Sequence, residues 1–448
     1  MSIRVSSNQM VYGYQKQLND ANTRQTSLLE QGDGSKLHRP SDDPVGYSKF
    51  MRYDTGISEN NQYTSNVDTA ISWMKTSDAA LVNMTAIQTT FKEKTTAAAN
   101  DTNNATDMAA IGKEMMAEIQ ELVSLGNTMQ GDRYVFGGQR DLTKPFELSE
   151  GEVSRGLAKT LDGNQQAFFS GEEGVNKNGS LQQMLTLEGT LQDGSKVTYY
   201  LNTKTGKFYS EDFVENGYKD IVAQDSKATV EDGDEAGVIS GFADGSVKVS
   251  KYFKNTGEIL DSGKAFEHEI TVNSEKVNLK FATIQQQIAS YTGDNKNISM
   301  VKKNGTTEPT ADTVNVTGPQ IFGCDIFDDP DSGNRYSGTA MLNEMLTVHK
   351  KVVSDDHKWL TTDGMTISDE AHAVTVEAET SLGARQQLYN SVKTMLVTQN
   401  ETITSDITDV SSTDVARLAV QLMQEQTIYN MSLSLGGRIL PQSLADYL

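Results

Sequence analysis

Apolar residues near the start of the chain recur at the spacing of a coiled coil. The steps along this stripe alternate between three and four residues, at Val11, Tyr14, Leu18, Ala21, Gln25 and Leu28, with Gln25 as a polar interruption. This is the a/d pattern of a helix that buries one narrow stripe against another helix. Gly13 lies inside the stripe and costs about 1 kcal/mol relative to alanine, so an isolated helix here is expected to be weak.

The C-terminal end carries a second stripe of the same kind. Its steps alternate between four and three residues, at Val415, Ala419, Leu422, Gln426, Tyr429, Leu433, Gly436 and Leu440. Each fully buried apolar side chain contributes about 1.5–3 kcal/mol, which is a thin margin against chain entropy when a helix has only a few of them. Two interpretations stay open: the end helices are disordered until a partner covers them, or they pack on each other in a monomer or a stable dimer.

Long helices are predicted between the N-terminal stripe and Gly131. Helical spacing of apolar residues and the lack of proline predict one helix over about 44–100, roughly 85 Å long. Asp42 or Asp43 can cap this helix, and Pro44 suits its first position because no N–H is needed there. The polar run at 100–104 is a break, and a second helix is expected to end near Gly131 and to pair antiparallel with the first.

The middle of the chain predicts β structure. Residues 137–335 hold 23 of the 36 glycines, and residues 136–327 hold 12 of the 14 phenylalanines. Glycine marks turns, and aromatic residues favour strands. Two hairpins are expected, one with strands at 196–201 and from 207, the other with a strand at 246–253.

These patterns together predict an α+β multidomain protein. Long N- and C-terminal helices would form an α-helical coiled-coil core, and a β-rich middle would be inserted between them. The expected segments are an N-terminal helix with its turn, the N-terminal part of the core, one or more β-rich outer domains, the C-terminal part of the core and a C-terminal helix, at 1–43, 44–136, 137–335, 336–410 and 411–448.

Charge and hydropathy narrow the possible partners. The net charge of −22 argues against nucleic acid and anionic membrane as the main partners, because both require a basic face. Mean hydropathy is −0.50, and no apolar run approaches the roughly 18 residues of a membrane span. The N-terminus has no apolar core of a secretory signal, which taken alone predicts a cytoplasmic protein.

No constellation for catalysis, cofactor binding or metal binding is predicted. Cys324 is the only cysteine, so a disulfide framework and a multi-thiolate zinc site are excluded. The run 189–196 resembles a phosphate-binding loop, but its Lys and Ser are in the wrong order and a turn explains it better. His349 and the run 355–357 are a weak metal pattern. An enzyme hosted in the middle of the chain is therefore an alternative without a nominated active site.

Several motifs at the two ends of the chain are distinctive. The turn Arg39-Pro40-Ser41-Asp42-Asp43-Pro44 resembles the spoke-like loop entry of the flagellin superfamily. The family's exit from the helical core is resembled by Tyr134, Phe136, Gly137, Gly138 and Phe146. Its entry to the C-terminal helices is resembled by Gly383, Ala384 and Arg385, and its chain end by residues 443–448. The Pro-Ser-Asp-Asp-Pro turn is more similar to hook–filament junction proteins than to the filament subunits of the family.

The resemblance implies a structural role. It implies that the end segments 1–43 and 411–448 are polymerisation helices, and that a ring of about eleven copies lies between hook-associated protein 1 and flagellin. It reverses the localisation inference, because the family is exported unfolded through the flagellar type III channel, with an export chaperone, to the extracellular flagellum. A flagellin filament subunit is the alternative. The expected subunit-interface residues are Val11, Tyr14, Leu18, Leu28, Val415, Leu422, Tyr429, Leu433, Leu440 and Leu448.

Overall fold

The structure is a computed structural model that describes residues 7–35, 37, 39–41, 43–154, 184–203, 205–213, 235–299, 313–323 and 338–439. The predictions for Asp42, Cys324, Leu440 and Leu448 lie outside the described residues, as does the side chain of Val11. The chain forms two compact units. The first contains Met1–Asn66 and Ser391–Leu448, and the second contains Val67–Asn390.

Six helices longer than ten residues occur in the described part of the chain. They are α1 Ser7–Glu30, α2 Pro44–Ala98, α3 Ala105–Gly126, α4 Ala340–Val353, α5 Met365–Ser411 and α6 Val415–Ile439. Shorter helical turns are Gln31–Asp33, Ser240–Ala243, Val249–Lys251, Asp261–Lys264, Gly318–Phe322, His357–Trp359 and the π turn Leu360–Gly364.

The break between α2 and α3 follows from local capping. Asn104 precedes α3, and its side-chain oxygen accepts hydrogen bonds from the N–H groups of Thr106 and Asp107 at 2.8 and 3.1 Å. This satisfies two of the four donors that a helix start leaves free. Helix α3 ends at Gly126, earlier than the predicted position near Gly131, because the chain turns into a short hairpin there.

All strand pairs in the described residues are antiparallel. The strands are β1 Met129–Gln130, β2 Arg133–Tyr134, β3 Phe146–Ser154, β4 Met184–Thr190, β5 Lys196–Asn202, β6 Lys207–Ser210, β7 Gly237–Val238, β8 His268–Val272, β9 Glu275–Phe281 and β10 Thr283–Tyr291. A six-stranded sheet has the order β7-β6-β5-β4-β9-β8, and β3 pairs with β10 in a separate two-stranded ribbon.

One of the two predicted hairpins is present. The β5–β6 hairpin occupies the predicted residues, but the predicted strand at 246–253 is wrong, because this segment forms the turn Val249–Lys251. Tyr252 and Phe253 follow each other and are both buried against Phe281, with ring centroids 5.2 and 5.0 Å away. Successive strand residues point to opposite faces, so a regular strand could not place both rings against Phe281.

The helical core of the second unit contains an antiparallel seam between α2 and α5. Every seventh residue is buried on each helix, at Met74, Leu81, Gln88 and Thr95 on α2 and at Ser368, Thr375, Leu382 and Tyr389 on α5. Two polar pairs set the alignment: Ser368 Oγ donates to Thr95 Oγ1 at 3.0 Å, and Gln88 Nε2 donates to Thr375 Oγ1 at 2.9 Å. The predicted fold class, long terminal helices with a β-rich middle, is confirmed.

Candidate assembly interface

The two terminal helices meet along one face within the first unit. Ala21 of α1 and Leu418 of α6 are buried, with 2% and 5% of their surface exposed. Arg24 Nε lies 3.6 Å from Glu425 Oε1, so an ion pair joins the two helices. The half-buried residues around this contact are Tyr14, Leu18, Gln25 and Leu28 on α1 and Leu422, Glu425, Tyr429 and Ser432 on α6. The structure therefore pairs the two end helices with each other within one chain.

The inner face of α6 is rotated from the predicted stripe. Leu422 and Tyr429 lie in the contact, but they alternate with Leu418 and Glu425, whereas Val415 and Leu433 are 68% and 45% exposed. Leu418 and Glu425 were missed because both neighbouring registers keep the same steps of three and four residues. Only the position of α1 distinguishes the two registers.

A second apolar face of α6 is uncovered in the single chain. Val420, Met423 and Met431 are exposed, as is Ile428 beside them. The steps of three, five and three residues keep these side chains within about 140° of the helix circumference, so they share one side. On α1, Tyr12 and Leu29 are also exposed. We call Val420, Met423, Ile428 and Met431 the outer face of α6.

The end helices carry almost no net charge. Residues 7–35 and 412–439 contain four basic and five acidic side chains, whereas the whole chain has a net charge of −22. Close packing of identical, strongly acidic chains is opposed by like-charge repulsion. These helices can therefore approach other copies with little like-charge repulsion.

The breaks that separate the end helices from the rest of the first unit lie next to each other. Ser35 and Ser412 form a β-bridge, and the N–H of Thr413 donates to the carbonyl of Gly34 at 3.0 Å. Gly34 has a φ of +98°, a left-handed conformation that favours glycine. The two turns therefore form one joint.

The predicted turn motif forms the start of α2. Asp43 Oδ1 accepts hydrogen bonds from the N–H groups of Val45 and Gly46 at 3.1 and 3.0 Å, and Pro44 is the first helical residue. Arg39 pairs with Glu30 at the end of α1, with 3.1 Å between Nη2 and Oε1. Pro40 and Ser41 are exposed.

The core-exit motif is part of a dense contact in the second unit. Phe136, Gly137, Gly138 and Phe146 are buried, and Tyr134 is half-buried. The Tyr291 hydroxyl donates to the carbonyl of Phe136 at 2.9 Å. Burial raises the pKa of Tyr291, so this hydroxyl stays protonated and available as a donor. A Cβ at Gly138 would collide with the carbonyl of Asp294, so only glycine fits there.

The three residues predicted at the C-terminal helix entry lie in α5 and have different surroundings. Gly383 and Ala384 are exposed, whereas Arg385 is buried. Arg385 Nη1 donates to the carbonyls of Thr313 and Asn315 at 3.2 and 3.0 Å. Burial lowers the pKa of this guanidinium. Arg385 thus ties the segment 313–317, which returns from the β-rich middle, to the helical core.

Candidate metal-binding clusters and membrane-spanning helices are both absent from the described residues. No group of three or more His, Cys, Asp and Glu side chains in the described ranges could hold a metal ion. None of the described helices is long and apolar enough to cross a membrane.

Comparison with known proteins finds similarity in the N-terminal part of the chain. Residues 5–140 match the bacterial flagellin N-terminal helical region. Hook-associated protein 3 of Escherichia coli strain K12 is 27% identical over 148 residues, covering 32% of this chain and 47% of that protein. B-type flagellin of Pseudomonas aeruginosa is 29% identical over 163 residues, covering 36% and 32%. The chain therefore spans less than half the length of these two relatives.

A longer alignment and two solved structures extend the comparison. Flagellin D of Vibrio cholerae is 26% identical over 280 residues, covering 59% of this chain and 69% of that protein. The flagellar junction protein FlgL of Legionella pneumophila has a TM-score of 0.35 at 13% identity, covering 81% of this chain and 99% of that one. A flagellar hook-associated protein of Vibrio parahaemolyticus has a TM-score of 0.38 at 11% identity, covering 83% and 100%. These superpositions are loose.

The sequence comparisons agree with the motifs at the N-terminal end. The family match includes the turn motif at 39–44 and the core-exit motif up to Gly138. The predicted resemblance to hook-associated protein 3 and the flagellin superfamily is confirmed.

Proposed function

We propose that this chain is a structural adaptor that joins the flagellar hook to the flagellin filament and has no enzymatic activity. The observation that carries the proposal is the pair of terminal helices: α1 and α6 cover each other's inner faces, while the outer face of α6 stays uncovered. The flagellin match over 5–140 and the similarity to hook-associated protein 3 support a flagellar setting.

The proposed partners follow from the family resemblance. Hook-associated protein 1 would lie on the hook side and flagellin on the filament side. The adaptor would form a ring of about eleven copies in the extracellular flagellum. An export chaperone would hold the chain before it passes unfolded through the flagellar type III channel.

The proposed mechanism couples folding to assembly. Burial of Met423 and Met431 by a neighbouring helix would remove apolar surface from water, which favours association and further stabilises the folded helix pair. The near-neutral ends support this step because they avoid the repulsion that the rest of the acidic chain would cause. The predicted interface residues Val415 and Leu433 are also exposed and available to a neighbour.

Electron microscopy of a strain lacking this chain tests the proposal. The expected result is intact hooks without filaments, with flagellin lost to the medium, and recovery when the full chain is restored. Restoring a chain shortened by its last 20 or so residues is expected to fail, because the C-terminal helix is incomplete. Normal filaments on the deletion strain or with the shortened chain would contradict the assigned role.

A filament subunit is the second candidate, supported by the similarity to B-type flagellin and to Flagellin D. Purified full-length chain distinguishes the two candidates. Growth of long filaments from the purified chain alone would establish the filament role. A chain that stays unpolymerised until hook and cap components are added would favour the adaptor.

A further inference from the structure

The β3–β10 ribbon is a stem between the helices and the six-stranded sheet of the second unit. Helix α3 precedes β3, the sheet strands lie between β3 and β10 in the chain, and α4 follows β10. The ribbon pairs nine residues on each strand, from Phe146↔Tyr291 to Ser154↔Thr283. The two strands of the ribbon therefore connect the sheet to the helices of the second unit.

A two-stranded ribbon has two outer edges. On β3 the far end of this edge bonds to the segment 257–259, where the N–H of Ser154 donates to the carbonyl of Gly257 at 3.1 Å. In an antiparallel pair, every second residue directs both its N–H and its C=O away from the partner strand. Phe146 on β3 and Ala289 on β10 are such residues, because their backbone groups bond to side chains outside the ribbon. Edge groups without partners are usually satisfied by water or by another strand.

Asn127 occupies the edge of β3. It directly follows α3, and its Oδ1 accepts from the N–H of Phe146 at 2.9 Å while its Nδ2 donates to the carbonyl of Phe146 at 3.0 Å. The same Nδ2 also donates to the carbonyl of Val123 in α3 at 2.8 Å. One amide thus joins the end of α3 to the first residue of the stem.

Asn343 occupies the edge of β10 in the same way. It lies in α4 with 1% of its surface exposed. Its Oδ1 accepts from the N–H of Ala289 at 2.8 Å, and its Nδ2 donates to the carbonyl of Ala289 at 3.2 Å. The neighbouring Gln286 strengthens this contact, since its Nε2 donates to the carbonyl of Asn343 at 3.2 Å.

We propose that Asn127 and Asn343 are positioning residues that clamp the stem from both edges and fix the direction in which the six-stranded sheet projects from the helices. Each amide takes the place of a neighbouring strand at one residue, on opposite edges of the ribbon and from two different helices. Two clamps on opposite sides prevent the ribbon from pivoting, which a single contact would allow. The clamps also withhold these edge groups from strands of other chains.

Aspartate is a discriminating replacement at both positions. It has the shape of asparagine, but it lacks the N–H donor that both carbonyls need. A carboxylate oxygen would then face the carbonyl of Phe146 or Ala289 and repel it. Asn104 offers a matched control at the other end of α3, because it caps that helix without touching the stem.

Spin-label distances in the full chain test the clamp. Cys324→Ser removes the native thiol, and labels at Lys113→Cys on α3 and Lys276→Cys on β9 report the distance between helices and sheet; both native side chains are exposed. The expected result is one narrow distance distribution for the parent. Asn127→Asp with Asn343→Asp is expected to give a distribution at least about twofold wider. Asn104→Ala is expected to lower the melting temperature while the distribution stays narrow.

The outcomes separate positioning from general stability. A broad distribution in the parent, or equal widths for the Asp variants and Asn104→Ala, would overturn the proposal. If the double variant does not fold by circular dichroism, Asn127→Ala alone is measured, since this half-exposed position tolerates truncation more readily. An unchanged width in that variant would count against the clamp at β3.

Discussion

At the scale of single residues, Glu370 in the second unit has a pKa unlike that of an ordinary glutamate. Glu370 on α5 is half-buried, and its Oε2 has no hydrogen-bond partner in the described part of the chain. Burial, with a smaller contribution from Asp369, raises the pKa of Glu370 to about 8. The carboxyl is therefore mostly neutral at pH 7, and its ionisation opposes folding.

Stability is expected to fall as pH rises through the range set by Glu370. The pKa of Glu370 is 4.5 in the unfolded chain and about 8 in the folded chain, so between these pH values the folded state binds one proton more than the unfolded state. The free energy of unfolding therefore carries the full contribution of protonated Glu370 below about pH 4.5 and loses it as the pH rises toward 8. Glu370→Gln is expected to unfold like the parent at pH 5 and to be more stable at pH 9, by on the order of 1–3 kcal/mol.

Thermal melts at pH 5, 7 and 9 check this prediction. Glu377→Gln is the control, because it makes the same change at an exposed carboxylate on the same helix. Equal melting temperatures for Glu370→Gln and the parent at pH 9 would show that ionisation of Glu370 does not destabilise the folded chain.

Two glycines are expected to respond to alanine in opposite directions. Gly138 has a φ of +69° and no room for a Cβ, so Gly138→Ala is expected to destabilise the chain by about 2 kcal/mol or more. Gly13 lies in α1, and no atom comes within 4 Å of the place where a Cβ would lie, so Gly13→Ala is expected to stabilise by about 0.5–1 kcal/mol. Chemical denaturation of both variants measures the difference, and a gain for Gly138→Ala would refute the close approach to Asp294.

At the scale of elements, polar pairs inside the α2–α5 seam fix the register of the two helices. Gln88 and Thr375 are 1% and 0% exposed and bond to each other, one heptad from the Thr95–Ser368 pair. The aligned register pairs polar with polar and apolar with apolar residues. Buried polar pairs of this kind commonly select register at a cost in stability.

Breaking one member of the pair is expected to cost more than replacing both. Thr375→Val leaves the Gln88 amide buried without its acceptor, so a loss of about 1–3 kcal/mol is expected. Gln88→Leu with Thr375→Val is expected to cost less than Thr375→Val alone, and its remaining cost is the lost hydrogen bond from Thr375 to the carbonyl of Ile321 at 3.1 Å. Urea unfolding of the two single variants and the double variant gives the coupling energy.

The exposed pair Lys92–Asp369 is the control for that cycle. Both side chains are about half exposed, so the coupling between them is expected to stay below about 1 kcal/mol. Additive effects at Gln88 and Thr375 would mean that their hydrogen bond contributes nothing specific to the seam.

At the scale of the whole molecule, charge and apolar surface are distributed unequally. The acidic residues that make the chain −22 lie mostly outside the end helices, and the end helices carry the outer face of α6. A helix surface that is apolar on two sides is expected where a second contact exists. This distribution is the main support for assembly through the chain ends.

Charging the outer face is expected to block assembly without unfolding the chain. Met423→Lys with Met431→Lys changes two exposed side chains, so the free energy of unfolding is expected to change by less than about 0.5 kcal/mol. Filament formation in a complemented deletion strain is expected to be lost. Leu142→Lys, an exposed change in the second unit, is expected to restore filaments and serves as the control.

Filaments of normal number and length with the Met423 and Met431 variant would remove the outer face from the assembly proposal. Loss of filaments with both the variant and the Leu142 control would indicate a general effect of added lysine, such as impaired export.

Local signals in the sequence were sufficient for the starts of two helices, the β5–β6 hairpin and the fold class. Pro44 and Asn104 act within one turn of their own position, so the start of α2 and of α3 can be located from the sequence. The same holds for the glycine at 206, whose φ of +69° terminates the hairpin turn.

Tertiary packing alone selected among patterns that are locally equivalent. Val415 and Leu418 fit equally good heptads, and α1 buries only Leu418. The alternating run at 246–253 became a turn because one aromatic cluster holds both Tyr252 and Phe253. Asn127 and Asn343 carry no local signal, since their partners are 19 and 54 residues away in the chain. Contacts of that range depend on where the chain returns, which no window of neighbouring residues contains.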